Sequence, residues 1–245
     1  MKKTSWFESW FDTKYYHLLY KDRDDTEAQF FLDNLVQVLQ PSTKSKLLDL
    51  ACGKGRHSIY LAAKGYNVLG LDLSPQSIKH ANKFAHAKLA FDTHDMRKVY
   101  ASKQFDFILN LFTSFGYFDN EQDHLDTLSS VAKSLKKNGT FVMDFFNAPK
   151  VIAQLKARQQ KTVDGLTFKI TRKYKEGYII KTIRFEDQGK LYQFEERVRA
   201  YHFRDLKRLF DKAGLEIVRH YGNYNFDKYN AKQSERLILI ARHKQ

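Results

Sequence analysis

Short apolar segments alternate with segments of helical periodicity along the first 150 residues of the chain. Apolar residues at helical spacing predict a helix over 26–40, which Thr26 caps and Pro41 ends. Apolar runs predict strands over 46–51, 66–71, 89–91, 105–111 and 140–146. Helices are predicted between them over 56–64, from Ser74-Pro75 onward and over 121–136. This alternation predicts an α/β fold with a doubly wound, mostly parallel sheet.

Beyond Pro149 the periodicity changes to that of antiparallel strands. After a helix near 149–159, alternating apolar and polar positions predict strands over 162–174, 178–185 and 190–201. Turns at Glu176-Gly177 and Gln188-Gly189 separate these strands. A helix over 203–213 and strands over 215–221 and 235–241 complete the pattern. We therefore expect a single domain, 1–245, with a seven-stranded sheet and a small antiparallel β insertion at 161–201.

Composition narrows the class of protein. The one cysteine, Cys52, excludes an internal disulfide framework and fits a reducing compartment. No apolar run approaches the roughly 18 residues of a membrane span. No signal-peptide core follows Lys2 and Lys3, so a cytoplasmic protein is expected. The nine histidines are scattered without ligand spacing, and no metal site is predicted.

The net charge of +14 is concentrated in the last part of the chain. Residues 151–245 contain 22 Lys and Arg against 11 Asp and Glu, while residues 1–150 contain 20 against 17. Such an excess is compatible with an anionic partner, and nucleic acid is one candidate. The basic residues are dispersed among acids rather than clustered, which favours an ordinary solvated surface.

A glycine turn follows the first predicted strand. Gly53 and Gly55 lie between that strand and the next helix, so the turn presents backbone N–H groups and a helix N-terminus to a ligand. Ser58 occupies the position at which a dinucleotide fingerprint has its third glycine. The turn alone therefore predicts a nucleotide-type ligand without deciding which one.

Acidic residues end the next two predicted strands. Asp72 lies 17 residues after Gly55, and Asp95 is followed directly by Met96. The carboxyl ends of parallel strands share the sheet edge at which ligands bind. There Asp72 can accept hydrogen bonds from both hydroxyls of a ribose. Asp95 can accept one from an exocyclic amine while Met96 covers the ring, which predicts an adenosine-containing cofactor.

Three motifs together resemble those of class I S-adenosylmethionine-dependent methyltransferases. Leu-Asp-Leu-Ala-Cys-Gly-Lys-Gly at 48–55 is similar to the first motif of that superfamily, Gly-Leu-Asp-Leu-Ser at 70–74 to its second, and His-Asp-Met-Arg at 94–97 to its adenine-recognition turn. The resemblance implies a Rossmann-like methyltransferase fold with S-adenosyl-L-methionine as the cofactor. The cofactor-binding residues that it implies are Tyr16, Arg23, Asp49, Ala51, Cys52, Gly53, Gly55, Asp72, Leu73, Asp95, Met96, Leu111 and Phe112.

Two further features resemble small-molecule members of the superfamily, including amino-sugar N-methyltransferases with a β insertion. One is the Tyr-rich segment 16–20 followed by Arg23, and the other is the Ser-Phe-Gly-Tyr turn at 114–117. The resemblance implies methyl transfer to a nitrogen or oxygen nucleophile of a small acceptor by in-line displacement. It places Tyr20 as a catalytic residue close to the transferred methyl, and Arg23 or Tyr16 near the methionyl carboxylate.

The acceptor side of the predicted site is less sharply defined. Asp144, Asn147 and His202 are the candidates for a general base, with Asp144 expected to reach the cleft floor. The candidates for contact with the acceptor are Ser114, Tyr117, Asn147, His202, Tyr224 and Arg236. We expect residues 1–40 to form a helical lid and the insertion to roof an acceptor pocket that permits an anionic substrate. Four aromatic residues either line this lid or hold the N-terminal helix in place: Trp6, Phe7, Trp10 and Phe11.

Three alternatives remain. A nicotinamide-dependent oxidoreductase would explain the glycine turn and Asp72, but not the missing third glycine or Asp95-Met96. An RNA methyltransferase could use the basic last third, but no N-P-P-Y-like motif or catalytic cysteine pair is present, which disfavours nucleic acid. A regulatory protein could bind the cofactor without turnover. The oligomeric state is open, since the antiparallel insertion could pair edge to edge.

Overall fold

The computed structural model describes residues 6–21 and 25–245. The helices are α1 (Trp6–Phe11), α2 (Lys14–Leu19), α3 (Asp25–Leu39), α4 (Arg56–Ala63), α5 (Pro75–Ala81), α6 (Glu121–Ser134), α7 (Ala148–Ala153) and α8 (Phe203–Lys212). The strands are β1 (Lys46–Leu50), β2 (Asn67–Asp72), β3 (Leu89–Thr93), β4 (Phe105–Asn110), β5 (Leu135–Phe146), β6 (Arg158–Val163), β7 (Leu166–Lys175), β8 (Tyr178–Asp187), β9 (Lys190–Arg199), β10 (Leu215–Tyr221) and β11 (Arg236–His243).

The main sheet has seven strands in the order β10-β11-β5-β4-β1-β2-β3. Strands β1 to β5 run parallel to one another, and β11 is antiparallel to both of its neighbours. Helices cover both faces of the sheet because its central strands are apolar on both sides, as Leu47 and Leu48 are in β1. The predicted α/β fold with a mostly parallel seven-stranded sheet is confirmed.

The insertion forms a separate four-stranded antiparallel sheet in the order β6-β7-β8-β9. The turns at Glu176-Gly177 and Gln188-Gly189 occur where expected, with positive φ at both residues of each. A third turn of the same kind, at Asp164-Gly165, divides the predicted strand 162–174 into β6 and β7. The predicted helix near 149–159 is correspondingly shorter, because the backbone is already paired as β6 from Arg158.

The end of α6 also differs from the prediction. The expected helix over 121–136 stops at Ser134, and β5 begins at Leu135 and continues through Gly139. A Cβ on Gly139 would lie 2.9 Å from Leu135 Cδ2 and 3.0 Å from the Phe105 carbonyl oxygen. The glycine therefore permits a close approach of two strands rather than ending a helix.

The N-terminal helices α1 and α2 pack against one face of the insertion sheet. Trp10 is fully buried there and packs against Phe194 with ring centroids 4.4 Å apart. Tyr15 packs on Phe185 at 4.6 Å, and its hydroxyl donates to Asp187 at 2.8 Å. Within 6–21 and 25–245, no helix has the length and apolar character needed to cross a bilayer.

Candidate active site

A cavity of about 680 Å³ lies at the carboxyl ends of β1 to β4 and is bounded by α1 and α2. Loops that follow the strands contribute its sheet side, formed by Ala51, Cys52, Gly53, Asp72, Leu73, Asp95 and Met96. The N-terminal helices and the turn after β4 contribute its aromatic side, formed by Phe7, Phe11, Tyr16, Tyr20, Tyr117 and Phe118. The structure thus brings together candidate residues from six separate segments of the chain.

The glycine turn uses its two glycines differently. A Cβ on Gly55 would lie 2.6 Å from Phe91 Cε1, so this glycine allows the turn to pack on β3. A Cβ on Gly53 would meet nothing within 4 Å, because this glycine borders the cavity. Both have positive φ, 85° and 58° respectively. Gly53 therefore leaves room on the cavity wall for a ligand to approach the backbone.

Asp49 lies beneath the turn and is not on the cavity wall. Its side chain is buried, and Ser58 donates to its Oδ2 at 2.6 Å. Burial raises the pKa of Asp49 to about 6, although the hydrogen bond from Ser58 acts in the opposite direction. Ser58 is thus the partner of a buried carboxyl group, which explains why the position of a third glycine holds a serine.

Asp72 lies on the cavity wall and is tied to the glycine turn. The Gly53 N–H donates to its Oδ2 at 2.7 Å, and the Ser74 N–H donates to its Oδ1 at 2.9 Å. Burial raises the pKa of Asp72 against the effect of these hydrogen bonds. Each carboxylate oxygen keeps a lone pair for a further donor from the cavity.

Asp95 and Met96 lie on the same wall, after β3. The Arg97 guanidinium lies 2.7 Å from Asp95 Oδ2, and the Arg97 N–H donates to Oδ1 at 3.0 Å. Burial alone would raise the pKa of Asp95, but these bonds to Arg97 outweigh it and hold the pKa below its ordinary value. Cys52 is buried in the turn, and burial raises the pKa of its thiol, in keeping with a packing role.

The turn after β4 places Leu111, Phe112 and Ser114 on the cavity wall. Phe112 and Thr113 both have positive φ, 55° and 61°. The buried carboxylate of Asp144 holds this turn, since it accepts a hydrogen bond from the Phe112 N–H at 2.9 Å. This corrects the expectation that Asp144 reaches the cleft floor, because the side chain lies beneath the turn and outside the cavity lining.

Several acceptor candidates also lie away from the cavity. Arg236 and Tyr224 contact Asp144 rather than the cavity, with hydrogen bonds of 2.8 and 3.2 Å. Asn147 is fully buried and donates to the carbonyls of Ala231 and Ser234. His202 is exposed at the start of α8. Each is occupied by a structural contact or is distant from the lining, whereas Ser114 and Tyr117 do line the cavity.

The cofactor candidates divide in the same way. Most of them lie on the cavity wall, namely Tyr16, Ala51, Cys52, Gly53, Asp72, Leu73, Asp95, Met96, Leu111 and Phe112. The catalytic candidate Tyr20 lies on the wall as well. Gly55 and Asp49 act from behind it, as described above. Arg23 lies outside the described residues.

Other lining residues escaped the sequence analysis. Arg56 and His57 belong to the first turn of α4, and both stack on Phe112, at 4.7 and 4.8 Å. Their place at the start of the helix behind the glycine turn was a usable signal. Asp12 accepts a hydrogen bond from Ser74 Oγ at 2.5 Å and so joins the N-terminal segment to the sheet side. Nothing in the local sequence indicates this contact.

Phe7 and Phe11 line the cavity, whereas Trp10 is buried between α1 and the insertion sheet. The two roles considered for the N-terminal aromatic residues therefore belong to different members of the group. Among the described residues, no cluster of three or more His, Cys, Asp or Glu side chains has the arrangement to hold a metal ion.

Comparison with known proteins relates this site to methyl-transfer enzymes. Residues 47–139 match a family model described as a methyltransferase domain. The glycine/sarcosine N-methyltransferase of Aphanothece halophytica is 25% identical over 227 residues, which cover 90% of this chain and 83% of that protein. A dTDP-3-amino-3,4,6-trideoxy-alpha-D-glucopyranose N,N-dimethyltransferase of Streptomyces venezuelae is 29% identical over 140 residues, 56% of this chain and 58% of the relative.

Among solved structures, an S-adenosylmethionine-dependent methyltransferase from Clostridium acetobutylicum superposes with a TM-score of 0.78. It is 22% identical, and the match covers 94% of this chain and 96% of that one. Two further curated relatives are matched over less than half of their own length. The alignment spans 45% of YqeM from Bacillus subtilis and 24% of the glycine/sarcosine/dimethylglycine N-methyltransferase from Actinopolyspora halophila.

Proposed function

We propose that this chain is a class I S-adenosylmethionine-dependent methyltransferase and that it transfers the methyl group to the nitrogen of a small amine. One observation carries the proposal: a single cavity joins the sheet side, suited to an adenosine, to an aromatic side suited to a cation. S-adenosyl-L-methionine is the cofactor of the family, and when bound it supplies a methyl group activated by a positively charged sulfur.

The sheet side fits this cofactor residue by residue. Asp72 lines the cavity and its carboxylate oxygens can accept further hydrogen bonds from the ribose hydroxyls, while Asp95 would accept one from the adenine amine. Met96 offers an apolar surface to the ring. The open space at Gly53 leaves room for the methionyl part to approach the backbone. Tyr16 and Arg23 remain our candidates for contact with the methionyl carboxylate.

The aromatic side supports an amine as acceptor. Phe11 lies 4.9 Å from Tyr16 and 5.3 Å from Tyr117, and Tyr16 lies 4.9 Å from Tyr20. Aromatic faces attract ammonium and sulfonium cations, and they do so most strongly where water is excluded. An amine that gains a methyl group becomes a cation, so this wall favours both the reaction and its product. Two of the relatives named above, those from Aphanothece halophytica and Streptomyces venezuelae, carry N-methyltransferase names.

The size of the cavity supports a small acceptor. Its volume of about 680 Å³ falls within the range usual for small-molecule sites. The cofactor would fill a large part of that space, which leaves little for a macromolecule. The basic side chains of Lys21, Lys54 and Arg56 line the cavity as well. We therefore include an anionic group, such as a carboxylate or phosphate, in the proposed acceptor.

The chain would accelerate the reaction mainly by alignment. Holding two reactants in line contributes about 7–11 kcal/mol in favourable cases. Here the turn at Phe112 and Thr113 and the helices α1 and α2 would hold the acceptor opposite the sheet side. We propose that residues 1–40 act as the lid and the β insertion as the roof of this arrangement.

The proposal is tested by measuring S-adenosylhomocysteine release from S-adenosylmethionine by the purified full chain. The acceptors would be amino acids and amino sugars, their matched hydroxy analogues, and transfer RNA. We expect release with at least one amine and none with its hydroxy analogue. Turnover with transfer RNA alone would favour the nucleic-acid alternative. Binding of NADH with no binding of S-adenosylhomocysteine would overturn the cofactor assignment.

A further inference from the structure

The hydroxyl of Tyr20 lies between an acidic and a basic residue of the insertion sheet, Glu196 and Lys181. It donates to Glu196 Oε1 at 2.7 Å and lies 3.0 Å from Oε2. The Lys181 ammonium also contacts the Tyr20 hydroxyl and lies 3.3 Å from Glu196 Oε2. The buried Trp10 donates to Glu196 Oε1 at 2.8 Å. The Glu196 carboxylate thus contacts donor groups of Trp10 in α1, of Tyr20 directly after α2, and of Lys181 in β8.

This group is largely shielded from water. The side chains of Glu196 and Lys181 are only 14% and 13% exposed, and the two residues are register partners on β9 and β8. A sheltered ion pair of this kind recovers little free energy of folding after its desolvation. The pair lies directly behind Tyr20, a residue of the cavity wall, which places it within reach of the chemistry.

The proposed reaction needs such a group, because an amine is protonated at neutral pH and must lose a proton before its lone pair can attack. Asp144 lies beneath the turn after β4 and outside the cavity lining. Asp72 and Asp95 belong to the sheet side, where they would contact the cofactor. Tyr20 belongs to the aromatic side, and it has a carboxylate directly behind its hydroxyl.

We propose that Tyr20 takes the proton of the acceptor amine and passes its own hydroxyl proton to Glu196, an inference that rests on the proposed function. The acceptor nitrogen keeps the electron pair of its N–H bond and uses it to form the new bond to the methyl carbon. The carbon–sulfur bond breaks and its electron pair stays on sulfur. The proton on Glu196 then leaves to solvent. Tyr20 is the catalytic residue, while Glu196 and Lys181 are positioning residues that act through it.

Other charged and titratable groups lie on the elements packed around Tyr20. Lys181 pairs in register with Glu196 and with Arg172 of β7, so the three share one face of the sheet. Lys161 of β6 donates to the Leu19 carbonyl at 2.9 Å, close to the end of α2. Tyr16, His17 and Lys21 flank Tyr20 along the chain.

The test is the variant Glu196→Gln, which keeps the shape of the side chain but cannot accept the proton. Two acceptors would be compared: an amine used by the wild type, and a fluorinated analogue that is already neutral at pH 7. With the protonated amine, we expect kcat/KM at pH 7 to fall by about 100-fold. The kcat/KM of the variant should then rise tenfold per pH unit, because the fraction of amine that is already deprotonated in solution rises by that factor. With the neutral analogue, we expect little loss. Tyr20→Phe should show the same contrast.

Asp187→Asn is the matched control, because Asp187 holds Tyr15 of α2 to the same sheet in the same way. It should leave both the pH profile and the contrast between the two acceptors unchanged. An equal loss with both amines in Glu196→Gln would overturn the inference and assign Glu196 a structural role alone. Lys181→Arg, which retains the positive charge, should keep most of the activity. If the wild type methylates no amine, the proposed function itself fails.

Discussion

The Arg236 guanidinium lies 2.8 Å from each oxygen of the Asp144 carboxylate. The acid is fully buried, and 20% of the arginine side chain is exposed. The same carboxylate accepts from the Phe112 N–H, and Arg236 donates to Thr113 Oγ1 at 3.0 Å. The pair therefore fixes the turn after β4, whose two positive-φ residues line the cavity.

Removing one member of this pair should be costly. Asp144→Ala leaves Arg236 without its buried partner, and we expect a loss of about 3–5 kcal/mol in the free energy of unfolding. Urea denaturation followed by circular dichroism measures it. The double variant Asp144→Leu with Arg236→Met, in which both charges are replaced by apolar groups, should lose less than the single variant. A double variant as unstable as the sum of the two single ones would show that the charges are not coupled.

The two glycines of the turn should respond differently to alanine. Gly53→Ala places a methyl group at the cavity, so we expect S-adenosylhomocysteine affinity to fall at least tenfold. The free energy of unfolding of Gly53→Ala should fall by only about 1–2 kcal/mol, the usual cost of a non-glycine residue in the left-handed region. Gly55→Ala forces a contact with Phe91 and should be the less stable of the two. Calorimetric titration and denaturation separate these effects. Equal affinities for Gly53→Ala and the wild type would contradict the placement of the ligand.

The buried carboxyl group of Asp49 should make stability depend on pH. Its pKa of about 6 in the folded chain lies above the ordinary value of 3.8, so the folded state holds this proton more tightly. The protonated Asp49 therefore stabilises the folded state. This stabilisation is complete below about pH 4 and is lost as the pH rises through 6, a change of about 3 kcal/mol in the free energy of unfolding.

The variant Asp49→Asn isolates this effect. The difference in unfolding free energy between wild type and variant should move against the wild type from pH 4 to about pH 6.5 and then level off. Carboxylates with lowered pKa values, such as Glu121 beside Arg208, act in the opposite direction in both proteins and cancel. A difference that stays constant with pH would show that Asp49 titrates normally.

The hydrogen bond between Ser74 and Asp12 should slow the release of the cofactor. Asp12→Ala removes the link between the N-terminal segment and the sheet side but leaves Ser74 as the N-cap of α5. We expect S-adenosylhomocysteine to dissociate several-fold faster in stopped-flow measurements, with an almost unchanged unfolding free energy. Asp12→Asn, which keeps an acceptor oxygen, serves as the control. An unchanged dissociation rate in Asp12→Ala would argue against a lid at this position.

Much of the fold could be predicted from the sequence, because its signals are local. The start of α5 at Ser74-Pro75 and the end of α4 near Gly65 follow from cap chemistry. Asn138-Gly139 misled the prediction because a glycine that ends a helix and one that allows close strand contact look alike in sequence. The turn at Asp164-Gly165 was missed because period-two alternation continues on both sides of it.

From the residue pattern alone, the site was predictable where its residues follow strands of the sheet, whereas Tyr16 and Tyr20 were predicted only through the family resemblance. Asp72, Asp95 and Met96 met that condition, and all three lie on the cavity wall. The contacts that decide the role of Asp144 could not be predicted, since Arg236 lies 92 residues away and only folding brings it near. The bond between Tyr20 and Glu196 spans 176 residues and depends on the docking of α2 on the insertion sheet.

The fate of the methyl group is the most direct test of the account. The full chain would be mixed with S-adenosylmethionine carrying a ¹³C-labelled methyl group and with an accepted amine, and followed by ¹³C NMR. We predict that the sulfonium methyl signal decays as an N-methyl signal of the acceptor grows, at equal rates and in equal amounts. A sulfonium signal that persists while the cofactor is bound, with no new methyl signal for any amine, would contradict the proposed function.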